Sequence, residues 1–263
     1  GAGDRYHNCF DSWEYERGQV WDPWHGVVDV REPEPGARVY GYAAYKHQHF
    51  ANLMFRDQEN EEHYPSVRCV QRAMEFVELN KDSDNWHLHL ELFDPHEPYD
   101  CPKRYLDHYG DTWTGPPYTN PGYRVVDPAE DDDESIQHVR KAYAGNLTMV
   151  DSWLGRLFDI MDASDMWRDT AVILATDHGL LVGEHELFGK NFPFVYPELC
   201  RLPLFVHHPD IPAGTSTHLT GAVDIMPTLL DFHTTAIPEN LHGRSIVPIL
   251  ADSEPIHDTG VLY

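Results

Sequence analysis

Residues 171–175 form an uninterrupted apolar run (AVILA), and the polar tetrad Thr176-Asp177-His178-Gly179 follows it directly. A short run of this kind, rich in β-forming residues and free of polar positions, is typical of a strand buried on both faces. Such strands belong to α/β folds, in which ligands gather at the carboxyl ends of the strands. We therefore predict an α/β fold in which the polar residues directly after this strand lie where ligands bind.

Helices are indicated at three places along the chain. A helical pattern begins at Pro65, a residue suited to the first turn of a helix. Apolar side chains recur at three- and four-residue spacing over residues 136–158, which predicts the best-defined helix. A third helix is expected over residues 224–232, where Pro227 is tolerated in the first turn. Helices and strands therefore alternate along the chain, as they do in layered α/β proteins.

Other segments predict strands, loops and the domain organisation. Residues 86–92 (WHLHLEL) alternate apolar and polar side chains with the two-residue period of a strand, and a further strand is expected at residues 202–207. Residues 1–64 predict loops with short helices, and residues 110–133 predict a solvated surface segment. Because no internal repeat and no clear linker is visible, we expect one domain over residues 1–263.

The charge of the chain argues against a nucleic-acid partner. Acidic residues number 44 and basic residues 19, so the formal net charge is −25 and binding to nucleic acid is not expected. Asp outnumbers Glu and lysine is scarce, which resembles proteins of very salty cytoplasm, although an acidic mesophilic enzyme is the alternative. We find no apolar run long enough to span a membrane and no C-x-x-C pair, so we expect a cytoplasmic protein without a membrane partner.

Asp177 and His178 place a carboxylate and an imidazole side by side at a predicted strand end. Both groups bind divalent cations, and such an ion could hold an anionic substrate. An Asp-His pair alone is more often part of an ordinary turn. His87 and His89 form a second candidate, an H-x-H pair, which we interpret as the polar side of the strand over residues 86–92.

Residues 176–179 begin a longer segment that resembles the C-terminal metal motif of the sulfatase family. It continues through Gly183-Glu184-His185 to Phe188-Gly189-Lys190. Further segments resemble the same family in the same order, and their shared order is more specific than any single one. They are residues 10–24, weakly, and then residues 93–98 (FDPHEP), 143–157, 202–204, 223–230 and 241–245. The most similar branch is the bacterial one that includes choline sulfatases and phosphonate monoester hydrolases.

This resemblance implies an alkaline-phosphatase-like α/β fold, a mixed sheet with helices on both faces that is incomplete at both ends of residues 1–263. It also implies hydrolysis of small-molecule sulfate monoesters by the full-length enzyme. Asp177 and His178 would ligate a divalent cation, foremost Ca²⁺ and otherwise Mn²⁺ or Zn²⁺, which acts as a Lewis acid on the sulfuryl oxygens. His96 would protonate the leaving-group oxygen, and Lys190 would neutralise the anion.

Each of these assignments has a simpler alternative. His96 could cap a turn in its loop, and Lys190 could be a surface lysine, although the scarcity of lysine makes this less expected. His185 is an alternative metal ligand. A position in which it hydrogen-bonds to a ligand without binding the metal fits equally well.

Part of the family's active site is absent from residues 1–263. Sulfatases attack with a formylglycine made from Cys or Ser in a C/S-x-P/A-x-R pentapeptide, and none of the cysteines has the required Arg. These cysteines are Cys9, Cys69, Cys101 and Cys200. We therefore expect the middle to C-terminal portion of a longer enzyme, inactive by itself, with a shortened non-catalytic relative as the alternative. Phosphate and phosphonate esters are alternative substrates, because they are tetrahedral anions like sulfate esters.

Overall fold

Helices alternate with short strands in the computed structural model, which describes residues 6–32, 36–190, 193–250 and 256–257. The α-helices are α1 (Ala43–Leu53), α2 (Pro65–Asn80), α3 (Lys103–His108), α4 (Asp133–Ala163), α5 (Pro197–Cys200), α6 (Ile225–Phe232) and α7 (Val247–Leu250). The strands are β1 (Arg38–Val39), β2 (Tyr118–Asn120), β3 (Arg124–Val125), β4 (Val172–Ala175), β5 (Leu181–Val182), β6 (Leu187–Gly189) and β7 (Leu204–His207). Single 3₁₀ turns lie at Tyr6–Cys9, Glu61–His63, Met166–Arg168, Glu184–Glu186 and Ala222–Asp224.

The chain divides into two compact units. Unit 1 comprises residues 1–164 and 180–192, and unit 2 comprises residues 165–179 and 193–263. Unit 1 therefore contains α1 to α4 with β1, β2, β3, β5 and β6, whereas unit 2 contains α5 to α7 with β4 and β7. The expectation of one domain over the whole chain stays a prediction.

Two amphipathic helices, α2 and α4, pack against each other in unit 1. α2 begins with Pro65 in its first turn, as predicted, and buries Val67, Val70 and Val77 along one stripe. α4 confirms the predicted helix over residues 136–158 and extends it at both ends. Within the described ranges, none of the helices is both long enough and apolar enough to cross a membrane.

The strands of unit 1 form two small sheets around one core. β1 pairs with β2 in parallel, and β6 lies between β3 and β5 as an antiparallel neighbour of both. Buried side chains of β2, β5, β6 and α4 meet in this core with one from the loop before α3. They are Tyr99, Tyr118, Val139, Ala142, Val182 and Phe188.

Asp131 corrects the prediction that residues 110–133 form a solvated surface segment. It is 4% exposed, and its carboxylate accepts hydrogen bonds from Arg38 Nη2 at 2.7 Å and Tyr118 Oη at 2.8 Å. Arg124 donates from Nη1 at 2.6 Å and from Nη2 at 2.9 Å. The run of three acidic residues resembles a solvated surface in the sequence, because the two arginines that neutralise Asp131 lie outside the run, on β1 and β3.

Unit 2 contains a two-stranded antiparallel sheet in which Ile173 faces Val206 and Leu174 faces Phe205. One face of this sheet packs on a core of three isoleucines. They are Ile246, Ile249 and Ile256. The opposite face is exposed at its centre, since Leu174 is 40% exposed and Phe205 63% exposed. The prediction of a strand at residues 171–175 is confirmed, but burial on both faces is wrong for the described residues, in which all four side chains of β4 are partly or fully exposed.

Residues 86–92 do not form the predicted strand. Their side chains keep the alternation, half-buried for Leu88 and exposed for His87 and His89, but no described strand lies beside them to supply ladder hydrogen bonds. Both histidines pack instead against the ring of Phe10, with ring centroids 6.1 and 5.9 Å away. Alternating apolar and polar side chains indicate an extended segment with one buried and one exposed side. A β-strand also needs a neighbouring strand for its backbone hydrogen bonds.

The ion pairs of Asp131 generate a prediction about stability. Asp131→Asn should lower the free energy of unfolding of unit 1 by about 3 kcal/mol, because it leaves two partly buried guanidinium groups without their carboxylate. Burial opposes ionisation of Asp131, but hydrogen bonds from Arg124, the Asp127 N–H and Tyr118 outweigh it and lower its pKa from 3.8 to about 2. The stabilisation is therefore complete above pH 3.8 and is lost as the pH falls towards 2.

Urea unfolding at several pH values measures this difference, and Asp132→Asn is the matched control. Asp132 is exposed and caps α4 by accepting from the Ser135 N–H at 2.9 Å, a bond that an asparagine makes equally well. Equal stability of the two variants at neutral pH would contradict the role given to Asp131.

Candidate active site

Asp94 anchors the loop that carries His96 in unit 1. The carboxyl group is buried, and its Oδ1 accepts hydrogen bonds from Gln19 Nε2 at 3.0 Å and from Asn146 Nδ2 at 3.1 Å. Its backbone N–H donates to Ser66 Oγ on α2 at 3.4 Å. The loop is therefore held by α2, by α4 and by the N-terminal segment, and this fixes the backbone from which His96 projects.

Lys190 is positioned by the glycine that ends β6. Gly189 has a φ of +94°, and a Cβ atom there would lie 2.2 Å from Cδ1 of Tyr123. Only glycine therefore lets β6 pass this close to the tyrosine ring. Lys190 follows directly and extends its ammonium group over the same ring, 6.0 Å from the centroid.

The structure brings His96 and Lys190 together. Nε2 of His96 lies 3.1 Å from Nζ of Lys190, and Nδ1 lies 3.0 Å from the backbone oxygen of Glu97. A carbonyl oxygen only accepts and an ammonium group only donates, so Nδ1 carries the hydrogen and Nε2 presents its lone pair. A neutral imidazole and an ammonium group thus share one partly buried position.

Two further residues line this position and were missed in the sequence. Glu97 is 4% exposed, and its Oε2 lies 3.2 Å from Nδ1 of His96. Tyr123 Oη lies 3.5 Å from Nε2 of His96, and burial, followed by the charge of Glu97 and a hydrogen bond with it, raises the pKa of the phenol above 10. Glu97 lies in the motif loop and could have been noticed there, whereas Tyr123 lies in a segment without a readable pattern.

Asp177 and His178 lie at the end of β4 in unit 2. Their side chains are 82% and 31% exposed, and Oδ2 of Asp177 faces Nε2 of His178 at 3.5 Å. Nδ1 of His178 lies 3.0 Å from the carbonyl oxygen of Gly179, which accepts its hydrogen, so Nε2 is the ring nitrogen directed towards the carboxylate. Ligands of one divalent cation lie roughly 3–4 Å apart when each bond is about 2–2.5 Å long.

This pair fits a divalent cation as part of a donor set. Two side chains do not complete a coordination sphere, and no group of three His, Cys, Asp or Glu side chains within the described residues could hold a metal ion. His185, the alternative metal ligand, is exposed in unit 1 with a left-handed backbone, φ 55°. Unit 1 thus holds the pair His96 and Lys190, and unit 2 holds the pair Asp177 and His178.

Comparison with known proteins identifies the family of this chain. The sulfatase family model matches residues 17–234. The multifunctional alkaline phosphatase superfamily protein PehA of Trinickia caryophylli is 34% identical over 47% of this chain and 24% of its own length. An arylsulfatase of Clostridium perfringens is 27% identical over 72% of this chain and 42% of its own length. The crystal structure of the phosphonate monoester hydrolase of Agrobacterium radiobacter has a TM-score of 0.61 at 22% identity, covering 75% of this chain and 44% of that one.

The fold is therefore of the alkaline-phosphatase-like α/β class, as predicted, although the strands described here form three small sheets. Within this class the chain belongs to the sulfatase family. It spans less than half of the length of the curated relatives that it matches.

A close backbone contact behind Asp177 and His178 generates a prediction. A Cβ atom on Gly179 would lie 1.8 Å from the backbone oxygen of Glu198. Gly179→Ala should therefore force the strand end away from α5 and lower the unfolding free energy of unit 2 by about 2–3 kcal/mol. Gly214→Ala is the control in the same unit, since no atom lies within 4 Å of its Cβ position. Thermal unfolding of both variants measures the difference, and equal midpoints would refute the contact.

Proposed function

We propose that this chain forms the metal-and-leaving-group side of a sulfatase that hydrolyses sulfate monoesters. The observation that carries the proposal is the contact of 3.1 Å between His96 and Lys190, inside a chain of which residues 17–234 match the sulfatase family. The region matched is less than half of each curated relative, which supports a longer protein that supplies the nucleophile. The proposed domain assignment is a partial catalytic domain over residues 1–263.

Lys190 and His96 would act on the two ends of the ester group. The ammonium group of Lys190 neutralises a sulfuryl oxygen, and a charged hydrogen bond to an oxyanion is stronger than a neutral one. His96 carries no hydrogen on Nε2 in the arrangement described above, so it must gain a proton there before it can donate one. Once protonated, it donates this proton to the ester oxygen as the leaving alcohol departs.

Asp177 and His178 would hold the divalent cation, and Ca²⁺ is the ion that we propose foremost. Such an ion supplies Lewis-acid polarisation of the sulfuryl oxygens. The imidazole of His178 and the carboxylate of Asp177 suit Mn²⁺ or Zn²⁺ as well. In all three cases the carbonyl of Gly179 holds the imidazole ring in the orientation that presents Nε2.

Phosphonate or phosphate monoesters are the second candidate substrates. The observation that favours them is the fold similarity to the phosphonate monoester hydrolase of Agrobacterium radiobacter, at a TM-score of 0.61. Kinetics on paired sulfate and phosphonate esters of the same alcohol, measured on the longer gene product, separates the two candidates. A shortened protein that binds without turnover is a third possibility, which predicts hydrolysis of neither ester.

The composition supports two further proposals about the environment of the protein. A net charge of −25 with an excess of Asp over Glu fits a cytoplasm rich in salt, where screening reduces self-repulsion. The same charge argues against a nucleic-acid partner.

The pair His96 and Lys190 predicts anion binding by this chain alone. Lys190→Met should weaken binding of inorganic sulfate about tenfold, because a charged hydrogen bond is lost. Lys81→Met is the control, since Lys81 is an exposed lysine that pairs with Glu78 at 2.9 Å. Titration followed by the NMR signals of His96 measures both affinities, and equal binding by the two variants would refute the proposed anion site.

The pair Asp177 and His178 predicts metal binding. Calorimetric titration of the chain with Ca²⁺ and with Mn²⁺ should give weak binding, which Asp177→Ala abolishes because it removes one of two ligands. Asp210→Ala removes an exposed carboxylate of the same unit and is the control. If Asp177→Ala binds the ions as the wild type does, the assignment of the metal site fails.

A further inference from the structure

Two buried oxygen atoms beside the loop of His96 accept no hydrogen bond from the described protein. They are Oδ2 of Asp94 and Oδ1 of Asn146. The other halves of these two groups are bonded to each other, because Asn146 Nδ2 donates to Asp94 Oδ1 at 3.1 Å. Both side chains are deeply buried, Asp94 at 7% exposure and Asn146 at 0%. A carboxyl and an amide group are thus paired on one side, and each has an unpaired oxygen.

An ionised Asp94 would make this arrangement costly, because a buried acceptor without a donor has lost its hydrogen bonds to water and gained none in return. A protonated Asp94 removes the problem. Its Oδ2–H becomes the donor that the amide oxygen of Asn146 lacks, and the acid and the amide then form two antiparallel hydrogen bonds. One proton therefore accounts for both unpaired oxygens.

We propose that Asp94 is a positioning residue for His96 and that it acts as a neutral carboxylic acid, with Oδ2–H donating to Oδ1 of Asn146. Asp94 does not touch the reacting atoms; it ties the loop to α4 and so sets the position of His96 relative to Lys190. The inference rests on the proposed function in one respect, namely the catalytic role of His96.

The charged and titratable groups around Asp94 agree with a neutral acid. Burial is the largest influence that raises the pKa of Asp94, and the negative charge of Asp100 adds to it. Asp100 is itself paired with Arg56, whose guanidinium is thereby already engaged. Burial also raises the pKa of Cys69 to about 11 and that of Cys101 to about 12, so both neighbouring thiols stay uncharged at neutral pH.

The polar neighbours of Asp94 oppose this shift but do not supply charge. Gln19, Ser66 and Asn146 all lower its pKa by hydrogen bonding, and each is an uncharged side chain. A neutral amide or hydroxyl can bond to a carboxylic acid as well as to a carboxylate. These bonds hold the group in place without requiring it to be ionised.

Asp94→Asn tests the protonation state. An asparagine donates from Nδ2 where the acid donates from Oδ2–H, so this variant should be at least as stable as the wild type at neutral pH. Because the folded pKa of Asp94 is raised, the stabilisation by Asp94 is complete below 3.8 and is lost as the pH rises through the folded value. The stability of Asp94→Asn relative to the wild type should therefore increase with pH.

Asp94→Ala is the contrasting variant, because it removes every hydrogen bond of the side chain. Urea unfolding from pH 4 to pH 9 compares the three proteins, and the infrared difference between wild type and Asp94→Asn at neutral pH should show a protonated carboxyl band. If Asp94→Asn is as unstable as Asp94→Ala and that band is missing, Asp94 is an ionised group and the inference fails. Stabilisation of the wild type but not of Asp94→Asn by added Ca²⁺ would overturn it in favour of a cation between the two oxygens.

The positioning role has its own readouts. In this chain, Asp94→Ala should shift the NMR signals of His96 and weaken sulfate binding about tenfold, whereas Asp94→Asn should retain both, as expected for groups that orient a site. In the longer protein, Asp94→Ala should lower kcat about 10- to 100-fold for alkyl sulfates and less for 4-nitrophenyl sulfate, because only the poorer leaving group needs the proton.

A failure of the proposed function can be distinguished from a failure of the inference about Asp94. If the longer protein hydrolyses no ester, the proposed function fails, while the unfolding profiles, the infrared band and sulfate binding by the chain still decide the state and role of Asp94. If Asp94→Ala leaves the His96 signals and sulfate binding unchanged, Asp94 is not a positioning residue, whatever the activity of the longer protein.

Discussion

The buried carboxylate of Asp131 is the constraint on which most of unit 1 depends. It collects hydrogen bonds from β1, β2 and β3 through Arg38, Tyr118 and Arg124. β3 in turn pairs with β6, in the register that places Arg124 opposite Phe188. β6 ends at Gly189, directly before Lys190, so the Asp131 cluster and Lys190 are connected through the pairing of β3 with β6. The two small sheets of unit 1 are too short to be stable through their ladders alone.

In the candidate active site, the neighbours of each histidine determine which ring nitrogen carries a hydrogen. The carbonyl of Glu97 accepts from His96 and the carbonyl of Gly179 accepts from His178, so each ring keeps its hydrogen on Nδ1 and directs Nε2 outward. In both cases the partner belongs to the next residue in the chain. The backbone that follows each histidine thus accepts from Nδ1 and leaves Nε2 as the nitrogen directed away from it.

Much of the fold was predictable because its patterns are local. Periodicity, proline placement and apolar runs predict helices α2, α4 and α6 and strand β4. The order of the motifs predicts the family. The failures share one cause, which is dependence on partners elsewhere in the chain. Residues 86–92 alternate like a strand but have no described neighbour, and Asp131 looks solvated until Arg38 and Arg124 are brought to it. For the site, the meeting of His96 with Lys190 was implied by resemblance, whereas Tyr123 and Asn146 enter it through packing that leaves no local signature.

The division of the chain also has a consequence for the order in which it can fold during synthesis. Unit 1 is discontinuous, since residues 180–192 return to it after the chain has begun unit 2, and its core contains Val182 and Phe188 from that return segment. α2 and α4 can meet earlier, but the core around them stays open until β5 and β6 leave the ribosome. β4 must likewise wait for β7, almost thirty residues later. Neither unit can close before the other has begun, so folding of this chain is expected to be late and coupled to its completion.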